Sequence, residues 1–435
     1  MLKHIHDMTM VQPIRLSSFR RLFIGESIAV FADQMLLVAL TLLALRIAGP
    51  GFALGSVLAV AAIPGALLMP VGGWVSDRFS PAGVLLLCGI GRTLLASTLA
   101  LIVFLGVSSS WSVYTLASTL GVLNALYYPA SLSTVPAILK DKALLGAGNA
   151  LVMGTQQVSE MAGPVLAASV VALFGAGAVF GINALMFAAA TILFGLVASG
   201  ARRPTETSLK EKAPSEASSR HKQHELADPE KPSEASQGLV AGIVEGIRYA
   251  WRDPLLRTML FALALLSFST SGPLRVGGAM LAQTRLGGAE TFGVLLSAFG
   301  TGSLSGLVVA GSLVRTGRRG ADLIVGMAAL GLGLGTLGFV SSLFLATALI
   351  LGMGVVAGYL GVVLMAWLQE RTKPSLHGRV MSLMMFAAVA VDPLSYALMG
   401  VLSGLDLRIM FAAAGSLLAT TALLGAASRP VRTLQ

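Results

Sequence analysis

Charge, cysteine and histidine are all scarce in this chain of 435 residues, and each scarcity excludes something. Charged residues make up 11% of the sequence, against about 25% in soluble globular proteins, which argues for a bilayer as the main solvent. The one cysteine, Cys88, lies in an apolar run, so no disulfide framework forms within the chain and a small buried hydrophobe is expected there. All five histidines, His4, His6, His221, His224 and His377, fall outside the apolar runs. With no metal-spaced pair at membrane depth, neither a metal site nor a membrane-embedded hydrolase or acyltransferase is expected. Gly-Lys dipeptides are absent altogether, which removes the phosphate loop of an ATP-driven pump. No cofactor is expected.

Apolar sequence is abundant instead: 55% of residues are hydrophobic, 50 are glycine, and the mean hydropathy is +0.82. A span needs about 20 mostly apolar residues. Runs of that length fall near 22–45, 54–76, 83–106, 112–137, 146–172 and 177–199, then near 257–282, 291–314, 322–342, 344–367, 378–403 and 408–428. Between the two sets lies ARRPTETSLKEKAPSEASSRHKQHELADPEKPSEASQ, too polar to bury the surface that would offset the entropy of ordering. The predicted organisation is a six-helix bundle over 1–200, a linker over 201–256 with an interfacial amphipathic helix near 238–252, and a second bundle over 257–435. The fold class is thus all-α, with twelve transmembrane helices in two pseudo-symmetric six-helix bundles. Pro129 and Pro273 are expected to kink their spans.

The formal charge of +10 would suggest nucleic acid as a partner were the cations not in the connections between runs. With the N-terminus inside, 25 of the 30 Lys and Arg fall on inside segments, and the positive-inside rule places both termini and the linker in the cytoplasm of a bacterial inner membrane.

The halves echo one another. Gly73-Trp-Val-Ser-Asp77-Arg78 ends the second run and Gly311-Ser-Leu-Val-Arg315 ends the eighth; Gly163-Pro164 in the fifth is matched by Asp392-Pro393 in the eleventh. Weak repeats of this kind mark transporters whose site lies where the repeats meet. On these residues the chain resembles the major facilitator superfamily. Gly73, Asp77 and Arg78 match its loop signature, which in the family braces a cytoplasmic gate, although Phe79-Ser80-Pro81 departs from it. Gly163 and Pro164 match the Gly-Pro core of its antiporter motif, a helix-packing element. Ser18-Phe19-Arg20-Arg21-Leu22-Phe23, Tyr128-Pro129-Ala130 and Gly378-Arg379-Val380-Met381-Ser382 resemble the branch containing the enterobactin and macrolide exporters.

Four acids fall inside spans: Glu26, Asp33, Glu160 and Asp392. Each costs about 2.5–3.5 kcal/mol at mid-membrane, so each needs a partner, water or a proton. All four are proton-coupling candidates, with Asp33 first because it lies near mid-membrane. Glu26 shares its helix face and is either functional or wetted from the cytoplasm. Arg92 and Arg275 are the candidate charge partners. Arg92 is expected to pair with an acid of the first half, while Arg275 either binds an anionic ligand or snorkels outward. Asn149, Gln156, Glu160 and Gly163 form a stripe on the fifth span that either packs against the eleventh or meets substrate. Asn124, Tyr127, Tyr128, Gln156 and Tyr359 are candidate cavity residues, with core packing the competing account. The function these features predict is a monomeric secondary transporter exporting an amphiphilic drug or siderophore against protons. The alternative is movement of a lysophospholipid or another lipid.

Overall fold

The computed structural model describes residues 12–107, 109–139, 141–201, 248, 251–288, 290–313, 319–372, 383–384 and 386–427. The linker over 202–247, all five histidines and the Gly378 to Ser382 motif lie outside them, as does most of the expected interfacial helix. The twelve long helices are α1 (Ser17–Ile47), α2 (Phe52–Arg78), α3 (Pro81–Phe104), α4 (Ser110–Ile138), α5 (Lys142–Phe174) and α6 (Ala176–Ala201), then α7 (Pro254–Gly272), α8 (Thr291–Leu313), α9 (Arg319–Leu337), α10 (Leu343–Arg371), α11 (Asp392–Leu405) and α12 (Leu407–Ala427). Eleven described helices are long and apolar enough to cross a membrane; α4, the twelfth, has the length but is too polar to qualify.

Local chemistry sets several boundaries. Ser109 and Ser112 form a reciprocal cap that starts α4. Asp253 starts α7 by accepting from the Leu255 and Leu256 amides at 3.0 and 3.3 Å. Helix α4 continues through Pro129 and Pro136. At Pro273, which has no N–H to donate, α7 passes into a π-helical turn over Pro273–Gly277 before resuming as Gly278–Arg285.

The distribution of the core defines the conformation. One apolar cluster joins both halves, running through the later part of α1 (Met35, Leu36, Leu42), the start of α2 (Leu54, Val57), the π turn (Val276) and the start of α8 (Phe292, Leu295). At the opposite end, where α6 ends and α7 begins, the core is split. Phe19, Leu85, Tyr127 and Phe194 form a cluster of the first half; Leu256, Met259, Trp367 and Leu368 form one of the second. The molecule is therefore sealed at the face remote from the linker and cleft at the linker face.

Two glycine-lined crossings make the seal. Helix α2 crosses α11 so closely that a Cβ on Gly55 would lie 2.5 Å from the Tyr396 carbonyl oxygen and 2.7 Å from Gly400 Cα. Helix α5 crosses α8, where a Cβ on Gly300 would stand 2.6 Å from the Glu160 carbonyl oxygen. There the Val165 amide donates to Ser297 Oγ at 3.0 Å. Small residues permit such approach in lipid, where dispersion and short polar contacts replace the hydrophobic effect.

Candidate functional site

In the first half the site is built around one guanidinium. Arg92 on α3 is wholly buried and donates to Asp33 Oδ2 on α1 at 3.0 Å and to Asn124 Oδ1 on α4 at 2.6 Å. Its carbon lies 3.6 Å from the centre of the Tyr127 ring. The Tyr127 hydroxyl in turn donates to Glu26 Oε2 at 2.5 Å. Glu26 is 1% exposed, so wetting from the linker face is not its situation; Tyr127 and the neighbouring Ser131 hold it instead. The heptad spacing of Glu26 and Asp33 directs both at the same neighbours, and Arg92 is the hub that ties α1, α3 and α4 together.

The second half carries a looser counterpart. Arg275 projects from the π turn with its guanidinium carbon 5.7 Å from the Tyr396 ring centre. It is turned inward, which removes the outward-snorkelling alternative. Asp392, Tyr128 and Glu160 are its further electrostatic neighbours. Asp392 occupies the first turn of α11, with Ser271 and Tyr396 beside it. Asp392 Oδ1 and the Tyr396 hydroxyl are buried without a hydrogen bond of good geometry. Buried polar atoms are normally satisfied, so a pair of them at membrane depth marks a place where a ligand, water or proton belongs.

Between the two clusters stands Tyr128, 40% exposed and within electrostatic reach of Asp33, Arg92, Arg275 and Glu160. Glu160 accepts from Gln156 Nε2 at 3.0 Å, one turn below it on α5. The remaining α5 stripe packs against α8 and α1 rather than the eleventh helix: a Cβ on Gly163 would lie 2.7 Å from Gln34 Cβ, and Pro164 abuts Gly293. Tyr359 donates to Asp322 Oδ2 on α9 at 2.9 Å, so its hydroxyl is committed within the second bundle. In the expected gating loop, Gly73 has open space around it and the Arg78 guanidinium stacks over Trp74 of its own helix at 5.8 Å. The Asp77 side chain lies outside the described residues.

Sequence reasoning missed Tyr396, Ser271, Asp322 and the pairing of Asp253 with Arg371 at 3.0 Å. The four-residue spacing of Asp392 and Tyr396 would have placed both on one helix face. Asp253 and Arg371 lie 118 positions apart and leave no local signal.

Two six-helix halves, a cleft between them open at one face, and buried charge at membrane depth define a membrane transporter rather than an enzyme. The chain matches the family model for the Major Facilitator Superfamily over residues 22–389 and belongs to that superfamily. It is 26% identical over 407 residues, 91% of this chain and 90% of the relative, to the uncharacterized MFS-type transporter y4rN of Sinorhizobium fredii. A second relative, the uncharacterized MFS-type transporter YfiS of Bacillus subtilis, is 26% identical over 249 residues, covering 57% of this chain and 52% of that one. Among solved structures, the POT family transporter PepTSo superposes with a TM-score of 0.70 at 14% identity, over 94% of this chain and 97% of that chain. The nucleoside transporter NupG superposes with a TM-score of 0.71 at 11% identity, over 94% and 99%. At such identities the likeness concerns the fold alone.

Proposed function

We propose that the chain is a proton-coupled exporter of an amphiphilic small molecule, working by alternating access, with the linker face in the cytoplasm. The observation that carries this reading is the pairing of a one-sided cleft with four carboxylates inside the spans, Glu26, Asp33, Glu160 and Asp392, for which the spans supply only Arg92 and Arg275. Carboxylates in excess of cations at membrane depth take up protons rather than remain charged. Closing the cleft at the linker face and parting the glycine crossings at the other would carry both substrate and protons across. The motifs at Ser18 to Phe23 and Tyr128 to Ala130 favour the drug and siderophore exporter branch.

Purified protein in liposomes provides the test, with a panel of amphiphilic dyes and siderophores. Under an imposed pH gradient at least one compound accumulates, and collapse of the gradient with an ionophore ends accumulation. Accumulation of the same compound with no gradient of any ion would overturn the coupling. Movement that merely equalises concentration would overturn active export.

A further inference from the structure

An apolar groove lies beside α7, apart from the charged clusters. On the linker-face half of α7, Leu260, Phe261 and Ala264 face Leu383, Phe386, Ala387, Ala390 and Val391 of the segment leading into α11 across an apolar groove of about 300 Å³. That volume is at the lower end of small-molecule sites, about 300–1,000 Å³. At its outer end Arg257 stacks over Trp251 at 5.9 Å and Trp251 meets Phe261 edge-on at 5.8 Å. At its inner end the groove reaches Val391, the residue before Asp392. Ala264 lies seven residues below Ser271, and Leu260 a further four, so Leu260, Ala264 and Ser271 follow one face of α7, with Arg275 in the π turn just beyond it. The groove therefore leads from the membrane interface to the Arg275–Asp392–Tyr396 cluster, where two buried polar atoms lack partners.

Its walls are apolar along the whole middle and polar only at the ends. Head and body of an occupant are thereby assigned to different places. Asp392 Oδ1 wants a donor, and Arg275 with the Tyr396 hydroxyl offers donors, so a head that both gives and accepts hydrogen bonds fits the inner end. We infer that the α7–α11 groove receives the hydrocarbon body of the transported compound, a single-chain zwitterionic amphiphile whose head lies against Arg275, Asp392 and Tyr396. This rests on the transporter reading above and narrows its substrate class.

The probe is a series of alkyl phosphoethanolamines of increasing chain length, measured by equilibrium binding to the full-length protein in lipid nanodiscs. Each methylene entering the groove is expected to raise affinity about fourfold. The rise should stop once the groove, about 10–12 Å long by the rise of its helical walls, is filled. Ala264→Phe and Ala387→Phe narrow the groove from opposite walls, and either should move the plateau to shorter chains; two variants guard against one failing to fold. Arg275→Gln should weaken all chain lengths by a similar factor and leave the slope per methylene unchanged. Affinity that climbs through the longest chain without a plateau, indifferent to both alanine variants, would mean bulk lipid partitioning and would overturn the proposal. So would the absence of saturable binding. A plateau moved by the alanine variants, in protein that drives no gradient-dependent transport in liposomes, would retain the groove and discard the exporter instead.

Discussion

Replacing Asp33 by Asn, alone and together with Arg92→Gln, separates two roles that one buried ion pair can play. Arg92 is fully enclosed and its charge is answered chiefly by Asp33 at 3.0 Å. Over that distance two unit charges attract by about 5–6 kcal/mol at an effective dielectric of about 20. Much of this is spent on desolvation, but removing one partner of a buried pair costs about 3–5 kcal/mol because the other charge is stranded. Asp33→Asn alone should therefore lower the unfolding temperature in detergent and the folded yield, with Asn124 and Tyr127 too weak to hold the guanidinium by themselves. Arg92→Gln added to it removes the stranded charge while an amide still bridges positions 33 and 124. Most of the lost stability should return, since neutralising both partners of a buried pair is often close to neutral. Gradient-driven transport in liposomes then decides the role. If the carboxylate carries the proton, the double variant folds normally and still fails to build a substrate gradient. Recovery of both stability and uphill transport would refute proton carriage by Asp33 and leave the pair a structural tie, with Glu26 or Glu160 next to test.

Three further outcomes follow from the packing and the termini of the helices. Gly55→Leu places a side chain where α2 meets the Tyr396 carbonyl and Gly400, so overpacking of about 1–3 kcal/mol should favour the conformation open at the far face. A cysteine at Gln34 should then label about 5- to 150-fold faster from that face, and an unchanged rate would show that this crossing does not form the seal. Asp253 is only partly buried; that burial opposes its charge, but hydrogen bonds from Arg371 and from the Leu256 and Leu255 amides outweigh it and hold the carboxyl below its usual range. A depressed folded value stabilises above the unfolded carboxylate range near about 3.9 and is lost as pH falls through the folded one. The gap in unfolding temperature between the natural protein and Asp253→Asn should accordingly be full at neutral pH and close as pH falls below about 4; a gap independent of pH would contradict the ion pair. A cysteine at Ser215 should resist an impermeant thiol reagent in intact cells while one at Ser109 reacts, and the reverse pattern would invert the proposed orientation.

Span number and the two halves were legible because each span is a local run of apolar residues, and the bilayer allows few alternatives. Helix α4 was legible too, although its polar residues keep it below the hydropathy of its neighbours, because Asn124, Tyr127 and Tyr128 are polar on a helix that must face protein. Pairing was a different matter. Arg92 was expected to find an acid in its own half, but Asp33 and Glu26 share a helix face, and only the crossing of α1, α3 and α4 assigns Asp33 to the guanidinium and Glu26 to Tyr127. Helix neighbours were misjudged for the same reason: the Gly163 stripe was expected to pack against the eleventh span or meet substrate, and it is α8 that offers Gly293 and Gly300. The inward turn of Arg275 depends on the π-helical shift at Pro273. A proline announces a break without specifying the direction of the next side chain.

The two halves, similar in sequence pattern, differ in how fully they spend their charges, and this difference bears on mechanism. In the first, Arg92 is bonded directly to a carboxylate and an amide oxygen and covered by an aromatic face, although its Nε and Glu26 Oε1 are buried without a hydrogen bond. In the second, Arg275 has a ring at 5.7 Å and carboxylates at a distance, while Asp392 and Tyr396 retain unused atoms. A cluster whose arginine is paired directly with a carboxylate resists change and suits a rigid bundle that transmits motion. A loosely paired one is closer in energy between alternatives and can be tipped by a ligand or a proton. Its position reinforces the point, because Arg275 leaves the π turn of α7 and Asp392 begins α11, the helix whose Gly400 closes against Gly55. A group bound there pulls on the same helix that seals the far face. The Asp392 cluster and the seal are thus joined by about two turns of α11, from Asp392 to Gly400, and under the proposed function that short rigid link is how occupancy of the cleft would bias which face is open.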